Sequence, residues 1–297
     1  MIDDIFLKKL IEEPQKILSL EFKTIKDIIG EATDIAEKEY RLLKIDTTKK
    51  EEIFIFGDIH GKLSSLKLIL KEIQKRKPEY IISLGDIVDR GDYQLQTLII
   101  MCALKILNPK NFFILRGNHE TFEMNRSYGF YDKFIEKFGN NHKFDVILDF
   151  YNSLPYSIII NESILCVHGG IPEDNNILKK LKDLKLDKMN DDLSEEIDKA
   201  LFQIMWNDPK EEVSYFKPSY RGPGILFFGK DALDEFLQEN NLDVIIRAHE
   251  SFPEGYRWFF GKKLLTIFSA ENYRPNLANP AVYALIENQD QIRVKIL

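Results

Sequence analysis

The 297-residue sequence has only two cysteines, Cys102 and Cys166, far apart and each in an apolar stretch, with no C-x-x-C pair. This excludes a disulfide-stapled fold and a thiolate metal site, and fits two small core residues in a reducing compartment. No apolar run approaches the roughly 18 residues of a membrane span. The acidic start, Met1-Ile-Asp-Asp-Ile, has no signal-peptide hydrophobic region. Positive charge is also in deficit, with 41 Lys and Arg against 48 Asp and Glu, a net charge of −7 and a pI near 5.4. That balance argues against binding a phosphate backbone as the main activity, so neither nucleic acid nor a membrane is an expected partner. A cytoplasmic protein is the expectation, and Asn125-Arg-Ser and Asn161-Glu-Ser then match the glycosylation pattern by chance.

Histidine is scarce too, and its placement is informative. Four of the five histidines sit at short motif turns, the first three of them glycine-bearing: Gly57-Asp58-Ile59-His60-Gly61, Arg116-Gly-Asn118-His119-Glu120, His168-Gly-Gly and Arg247-Ala-His249. Gly85-Asp86-Ile-Val-Asp89-Arg90-Gly91 repeats the device with two aspartates. The first three of these turns along the chain each follow an apolar, β-branched run, so short polar side chains are placed at strand ends.

The length exceeds the usual single-domain mode, but one large α/β domain over residues 1–297 is the simplest organisation. Residues 4–42 carry helical periodicity interrupted near Pro14, giving capping helices within residues 1–45. A strand–turn–helix grammar follows: strands over Ile53–Phe56, Tyr80–Leu84 and Phe112–Leu115, and helices over Ser64–Arg76, Tyr93–Leu107 and Thr121–Phe138. A helix near Phe144–Asn152 leads to a hairpin of Tyr156–Ile160 with Ser163–Val167. Charged helices are expected over Asn175–Asp187 and Ser194–Met205, with Lys179–Lys188 a solvated face. Pro209–Gly224 reads as a loop. Strands follow at Val244–Ile246, Trp258–Phe260, Leu264–Phe268, Val282–Ile286 and Ile292–Ile296. No internal repeat, low-complexity segment or linker interrupts the chain, and no tail for autoinhibition follows the last strand.

Carboxylate, imidazole and carbonyl-oxygen donors without thiolates suit Mn²⁺, with Fe²⁺ or Zn²⁺ also compatible. A phosphoester repels nucleophiles through its own charge, and two ions can clamp it while lowering the pKa of a bridging water. Asp86 is the candidate bridging carboxylate. Asp58 and His60 complete one ion's ligands; Asn118, His168 and His249 complete the other's. The alternative, Asp58 or Asp86 as a helix cap, does not account for five such turns in one chain.

GDIHG, GDIVDRG, RGNHE, HGG and RAHE together resemble the motifs of the PPP-family phosphoprotein phosphatases, within the metallophosphoesterases. The similarity extends through Asn125-Arg-Ser-Tyr-Gly-Phe-Tyr-Asp, Trp206-Asn-Asp-Pro, Arg221-Gly and Ser269-Ala-Glu-Asn-Tyr273, roughly residues 20–297. It implies the calcineurin-like fold, a central β-sandwich of two mixed sheets flanked by helices. It also implies two divalent metal ions on the six ligands above. The activity implied is hydrolysis of phosphoserine and phosphothreonine in proteins or peptides by a metal-bridging hydroxide, with regulatory subunits unspecified.

His119 leaves the ligand turn beside Asn118 and suits a general acid protonating the leaving alkoxide; the resemblance pairs it with Asp89, which would orient the ring and hold it cationic. Arg90, Arg116 and Arg221 are assigned to the phosphate, matching the family pattern, and Tyr273 to the cleft near the metals. Asp208 is placed near the cleft without a chemical role. Some positions depart from the family: Glu271 replaces a usual proline, Arg274 stands where type 1 enzymes carry a toxin-reactive cysteine, and Pro218-Ser219-Tyr220 replaces polar, acidic residues. These changes bear on the cleft rim and suggest a compact prokaryotic or archaeal-type member. The competing readings are a diadenosine polyphosphate or other small phosphoester hydrolase using the same dinuclear centre, and a non-catalytic scaffold that binds phosphoproteins.

Overall fold

Ile53-Phe54-Ile55-Phe56 is buried at every position, so apolar layers cover both of its faces. Ile53 and Ile55 join a cluster with Ile158, Ile246 and Ile267. Phe54 and Phe56 join another with Ile29, Leu98 and Phe150. The two-residue period of a strand thus sorts one face into the interior of a sandwich and the other under a helical layer.

The computed structural model of the chain describes residues 2–182, 184–186, 193–274, 276 and 278–297. Its strands, in chain order, are β1 (Leu42–Ile45), β2 (Ile53–Phe56), β3 (Tyr80–Ser83), β4 (Phe112–Ile114), β5 (Ser157–Ile160), β6 (Ile164–Val167), β7 (Asp208–Pro209), β8 (Phe216–Pro218), β9 (Leu226–Phe228), β10 (Val244–Arg247), β11 (Tyr256–Phe259), β12 (Leu264–Ile267), β13 (Val282–Glu287) and β14 (Gln291–Ile296). One sheet runs β1-β5-β6-β10-β12-β11, a second β14-β13-β2-β3-β4, and a short third β7-β9-β8. Both large sheets are mixed, as the resemblance implies. In the second, β2, β3 and β4 are parallel and β13 is antiparallel to β2; in the first, β6, β10 and β12 are parallel.

Helices α1 (Asp4–Glu12), α2 (Phe22–Ala36), α3 (Leu63–Arg76), α4 (Gln94–Leu107), α5 (Phe122–Tyr128), α6 (Phe130–Phe138) and α7 (Asp145–Asn152) belong to the second sheet's side of the molecule. Helices α8 (Ile177–Leu181), α9 (Glu195–Trp206) and α10 (Lys230–Asn240) cover the first sheet. Each large apolar side chain fully buried in these layers contributes roughly 1.5–3 kcal/mol. No helix of the described residues is long and apolar enough to cross a membrane.

Several elements differ from the sequence reading. The helix expected over Thr121–Phe138 is two, because Gly129 takes φ +95° and ends the first; a residue with a Cβ reaches that conformation only under strain. The Asn175–Asp187 helix contracts to α8, and its expected end lies outside the described residues. Lys179 and Lys180 pair with Glu239 and Asp174 on the exposed surface, the solvated face expected of that stretch, of which residues 183, 187 and 188 are not described. Pro209–Gly224 is not wholly loop, since it contains β8, which pairs with β9 just beyond it. β1 and α10 have no counterpart in the sequence reading, although Ala232, Leu233, Phe236 and Leu237 bury one face of α10 at helical spacing.

The topology has one consequence for chemistry. The parallel strands β2, β3, β4, β6 and β10 all end beneath the motif turns, so two sheets deliver their polar turns to one edge of the sandwich.

Candidate active site

The turns are locked to one another by backbone bonds before any side chain is considered. The amides of Ile59 and His60 both donate to the carbonyl of Asp86, at 3.0 and 2.9 Å. The amide of Ala248 donates to the carbonyl of His168 at 3.0 Å. His60, Asp86, Asp89, Arg90 and His249 all take positive φ, between 45° and 70°. Non-glycine residues hold that conformation only where surrounding contacts over-determine it, and they concentrate at functional sites. Gly117 is required by crowding: a Cβ there would lie 2.3 Å from Asp86 Oδ1 and 2.7 Å from the Asp86 nitrogen.

Asp86 sits between two groups of donors. Its Oδ2 lies 3.5 Å from His60 Nε2, which is 3.4 Å from Asp58 Oδ2. Its Oδ1 lies 3.4 Å from His168 Nε2. That same nitrogen is 3.0 Å from Asn118 Oδ1 and 3.2 Å from His249 Nδ1. The ring orientations are fixed from behind: His60 Nδ1 donates to the Val88 carbonyl (2.9 Å) and His168 Nδ1 to the Leu84 carbonyl (2.7 Å). Each bond leaves the Nε2 lone pair aimed inward. Asp58 Oδ2 is buried without a hydrogen-bond partner, as is His249 Nε2. Two clusters sharing one carboxylate, with an orphaned oxygen at one of them, fit two divalent cations held by imidazole and oxygen donors.

Electrostatics points the same way. Asp58, Asp86, Asp89 and Glu120 are all buried. Burial, then the charges of Asp58 and Glu120, hold Asp86 well above the usual carboxylate range. At Asp58 the penalty of burial is outweighed by His60 and His168, and its pKa is lowered. Burial pushes His168 down to about 4, against the opposing charge of Asp58. Neutral imidazoles and crowded carboxyls are a donor set that gains from positive charge.

His119 stands beside this centre, its ring edge-on to His60 with centroids 4.7 Å apart, and it lies within ligand distance of His60 and Asp86. Its Nδ1 is 2.7 Å from Asp89 Oδ2, leaving Nε2 for the cleft. Asp89 is held in turn by Asn125 Nδ2 (3.0 Å) and the Phe130 amide (3.3 Å). The pairing expected from the resemblance is therefore present. Burial pushes Asp89 up to about 7. Burial, His60 and Arg90 hold His119 well below its usual value. Both shifts have burial as their largest cause, since it penalises the charged form of each group.

A cleft of about 520 Å³ opens over these groups. His60, Asp86, Asn118, His119 and His249 line its floor, and Arg90, Arg221 and Tyr273 its walls. Asp58, Asp89 and His168 lie behind that floor, all fully buried. Tyr273 stacks on His60 with centroids 5.0 Å apart. Arg90 packs over Tyr128 at 3.8 Å. Arg116 is the exception and corrects the sequence reading. Its Nε donates to the Glu120 carbonyl (3.2 Å) and its Nη1 to the Tyr156 hydroxyl (2.9 Å), so its fork braces the turn and does not line the cleft.

The sequence reading missed the groups that hold the ligands. Glu120 accepts from the amides of Asp86 (2.8 Å), Ile87 (2.9 Å) and Gly117 (2.8 Å), joining two ligand turns through one carboxylate. Asn125 joins Asp89, the His119 carbonyl and the Tyr151 hydroxyl; its complete burial also removes it as a glycan acceptor. Asp208, left without a role, bonds Arg221 Nε with one oxygen and the fully buried Arg247 with the other, the latter at 2.8 Å. Their only signal in the sequence was proximity to the motifs.

Residues 52–253 match the family model described as calcineurin-like phosphoesterase. The chain is similar to the serine/threonine-protein phosphatase 4 catalytic subunit of Candida glabrata, 34% identical over 268 residues, 90% of this chain and 82% of that protein. It is likewise 34% identical over 257 residues to the subunit of that name from Saccharomyces cerevisiae, 86% of this chain and 79% of that one. Among solved structures, a protein serine/threonine phosphatase from Saccharomyces cerevisiae, described as similar to human phosphatase PP5, matches with a TM-score of 0.79 at 29% identity. That match covers 94% of this chain and 90% of the other.

Proposed function

The chain belongs to the calcineurin-like phosphoesterase family as a serine/threonine protein phosphatase, and on that premise we propose how its own residues carry the reaction. The observation that supports the reading most directly is the division of Asp86, one oxygen toward His60 and the other toward His168. Asp58, His60 and Asp86 would hold one divalent ion; Asp86, Asn118, His168 and His249 would hold the other. Two such ions supply neutralisation of phosphoryl charge and acidification of water. Mn²⁺ is the proposed occupant, since the donors are nitrogen and oxygen without sulfur.

Arg221 reaches the cleft as a fork steadied by Asp208, and Arg90 is steadied by Tyr128. Both would take the non-bridging phosphate oxygens through paired N–H bonds. His119, with Nδ1 on Asp89, would deliver a proton from Nε2 to the departing seryl or threonyl oxygen, a step contributing typically 10²–10⁴-fold. Asp89 would fix the orientation of the ring and stabilise positive charge on it. Regulatory subunits and a cytoplasmic setting belong to the same proposal.

The test is Mn²⁺-dependent phosphate release from a phosphothreonine peptide, with diadenosine tetraphosphate as the competing substrate. The peptide should be strongly preferred, and His119→Asn should lower kcat by about 10²–10⁴-fold, with Asp86→Asn losing metal as well as activity. Wild-type turnover in either variant would refute the assignment, and preference for the dinucleotide would move the enzyme to nucleotide hydrolysis.

A further inference from the structure

The connection from β12 to β13 carries Glu271 and Arg274, two of the positions noted above at the cleft rim. It is pinned at its base: the Asn272 amide donates to the Asn279 carbonyl (2.9 Å), and the Tyr273 amide to Asn279 Oδ1 (3.0 Å). Asn279 is itself buried, with Nδ2 on the Ala270 carbonyl (2.8 Å). Outside the pin, the Glu271 amide donates to Ser65 Oγ of α3 (3.0 Å). Tyr273 is thereby fixed over His60, and the next residue, Arg274, must start from the lip of the cleft. Its side chain is exposed and lines the cleft.

Arg90 lies on the same wall. Its guanidinium is 5.9 Å from the centre of the Tyr273 ring, and that of Arg274 is 6.0 Å from it. Among the described residues, neither arginine has a carboxylate within ion-pair distance. In a chain of net charge −7, two unpaired guanidinium groups around one aromatic ring are a local positive patch. The acidic residue lining the cleft rim elsewhere, Glu250, is already paired with Arg247 at 3.0 Å. Arg90 is committed to the phosphate in the reading above. Arg274 is left with its charge facing whatever flanks that phosphate.

Resting on the phosphatase reading, we propose that Arg274 is a specificity-determining residue that selects phosphosites flanked by a second anionic group, a carboxylate or another phosphate. An exposed guanidinium–anion pair in water discriminates only modestly, so the preference over a neutral flank is about three- to fivefold in kcat/KM. It declines as salt is raised, because such contacts are screened within about 10 Å at 0.1 M.

The experiment compares four phosphothreonine peptides of one length, with alanine, aspartate, phosphoserine or lysine beside the phosphothreonine, on the wild type, Arg274→Ala and Arg274→Glu. The wild type should favour the aspartate and phosphoserine peptides over the alanine peptide. Arg274→Ala should bring those ratios near one, and Arg274→Glu should reverse the order in favour of lysine. The gain on the lysine peptide shows that the variant is folded. A larger ratio for phosphoserine than for aspartate identifies a phosphate flank as the better partner. Equal kcat/KM on all four peptides in the wild type, or an acidic preference that survives in Arg274→Glu, overturns the inference while leaving the phosphatase reading intact. Failure to hydrolyse any of the four would bring down both.

Discussion

Glu120→Gln is the most informative single perturbation of the site. The carboxylate takes three backbone amides, two on one oxygen and one on the other. Glutamine has the same shape but one acceptor oxygen, so its NH₂ group must face one of those amides. A buried donor without an acceptor costs about 1–3 kcal/mol. The two bonds that remain lose charge assistance, about 1 kcal/mol each. Part is offset, because burial already holds the Glu120 pKa up and a neutral side chain escapes that penalty. The net is a loss of about 2–4 kcal/mol in stability. The same bonds set the backbone of Asp86 and of the turn before Asn118, so metal affinity or turnover should also fall, by about 10–100-fold. Urea unfolding in chelator reads the first effect, and metal titration with peptide kinetics reads the second. A variant with the wild-type urea midpoint and unchanged metal affinity would refute the claim that Glu120 clamps the bridging ligand.

Two further outcomes follow from distances in the same region. In Gly117→Ala the new methyl would sit 2.3 Å from Asp86 Oδ1, and a displacement of roughly 1 Å at that carboxylate should reduce kcat about 10²-fold while circular dichroism stays native. Asp208→Ala removes the 2.8 Å partner of fully buried Arg247; a buried charge left unpaired costs about 3–5 kcal/mol, held to the lower end by Glu250 at 3.0 Å. The phosphopeptide KM of Asp208→Ala should rise as well, because Arg221 loses its anchor, and steady-state kinetics beside urea unfolding separates the two losses.

The sequence by itself determined the chemistry. Glycine within or beside most of these polar motifs marks a strand-end turn, and the scarcity of histidine makes its clustering there informative. Asp58, His60, Asp86, Asn118, His119, His168 and His249 were named from that clustering, and packing brings them together; most of the α/β order was legible, since buried strands and amphipathic helices carry their own periods. The break at Gly129 was not legible, because a lone glycine within a helical pattern is usually tolerated. Nor was the short β1, whose four residues have too little pattern to read.

Tertiary structure decided what lies behind and around those turns. Partners from the turns after β3 and β4 and from α5, α6 and α7 give Glu120, Asn125 and Asp89 their roles, and no local pattern encodes which distant amide a carboxylate will accept. Arg116 looked equivalent to Arg90 by its neighbours in sequence, yet the Tyr156 hydroxyl and the Glu120 carbonyl hold it away from the cleft. The pKa directions of His119 and Asp89 were likewise beyond the motif, because they follow from burial and neighbouring charge. Residue type and spacing specify which donors are available; only packing sets their distances, their charges and the direction in which each one points.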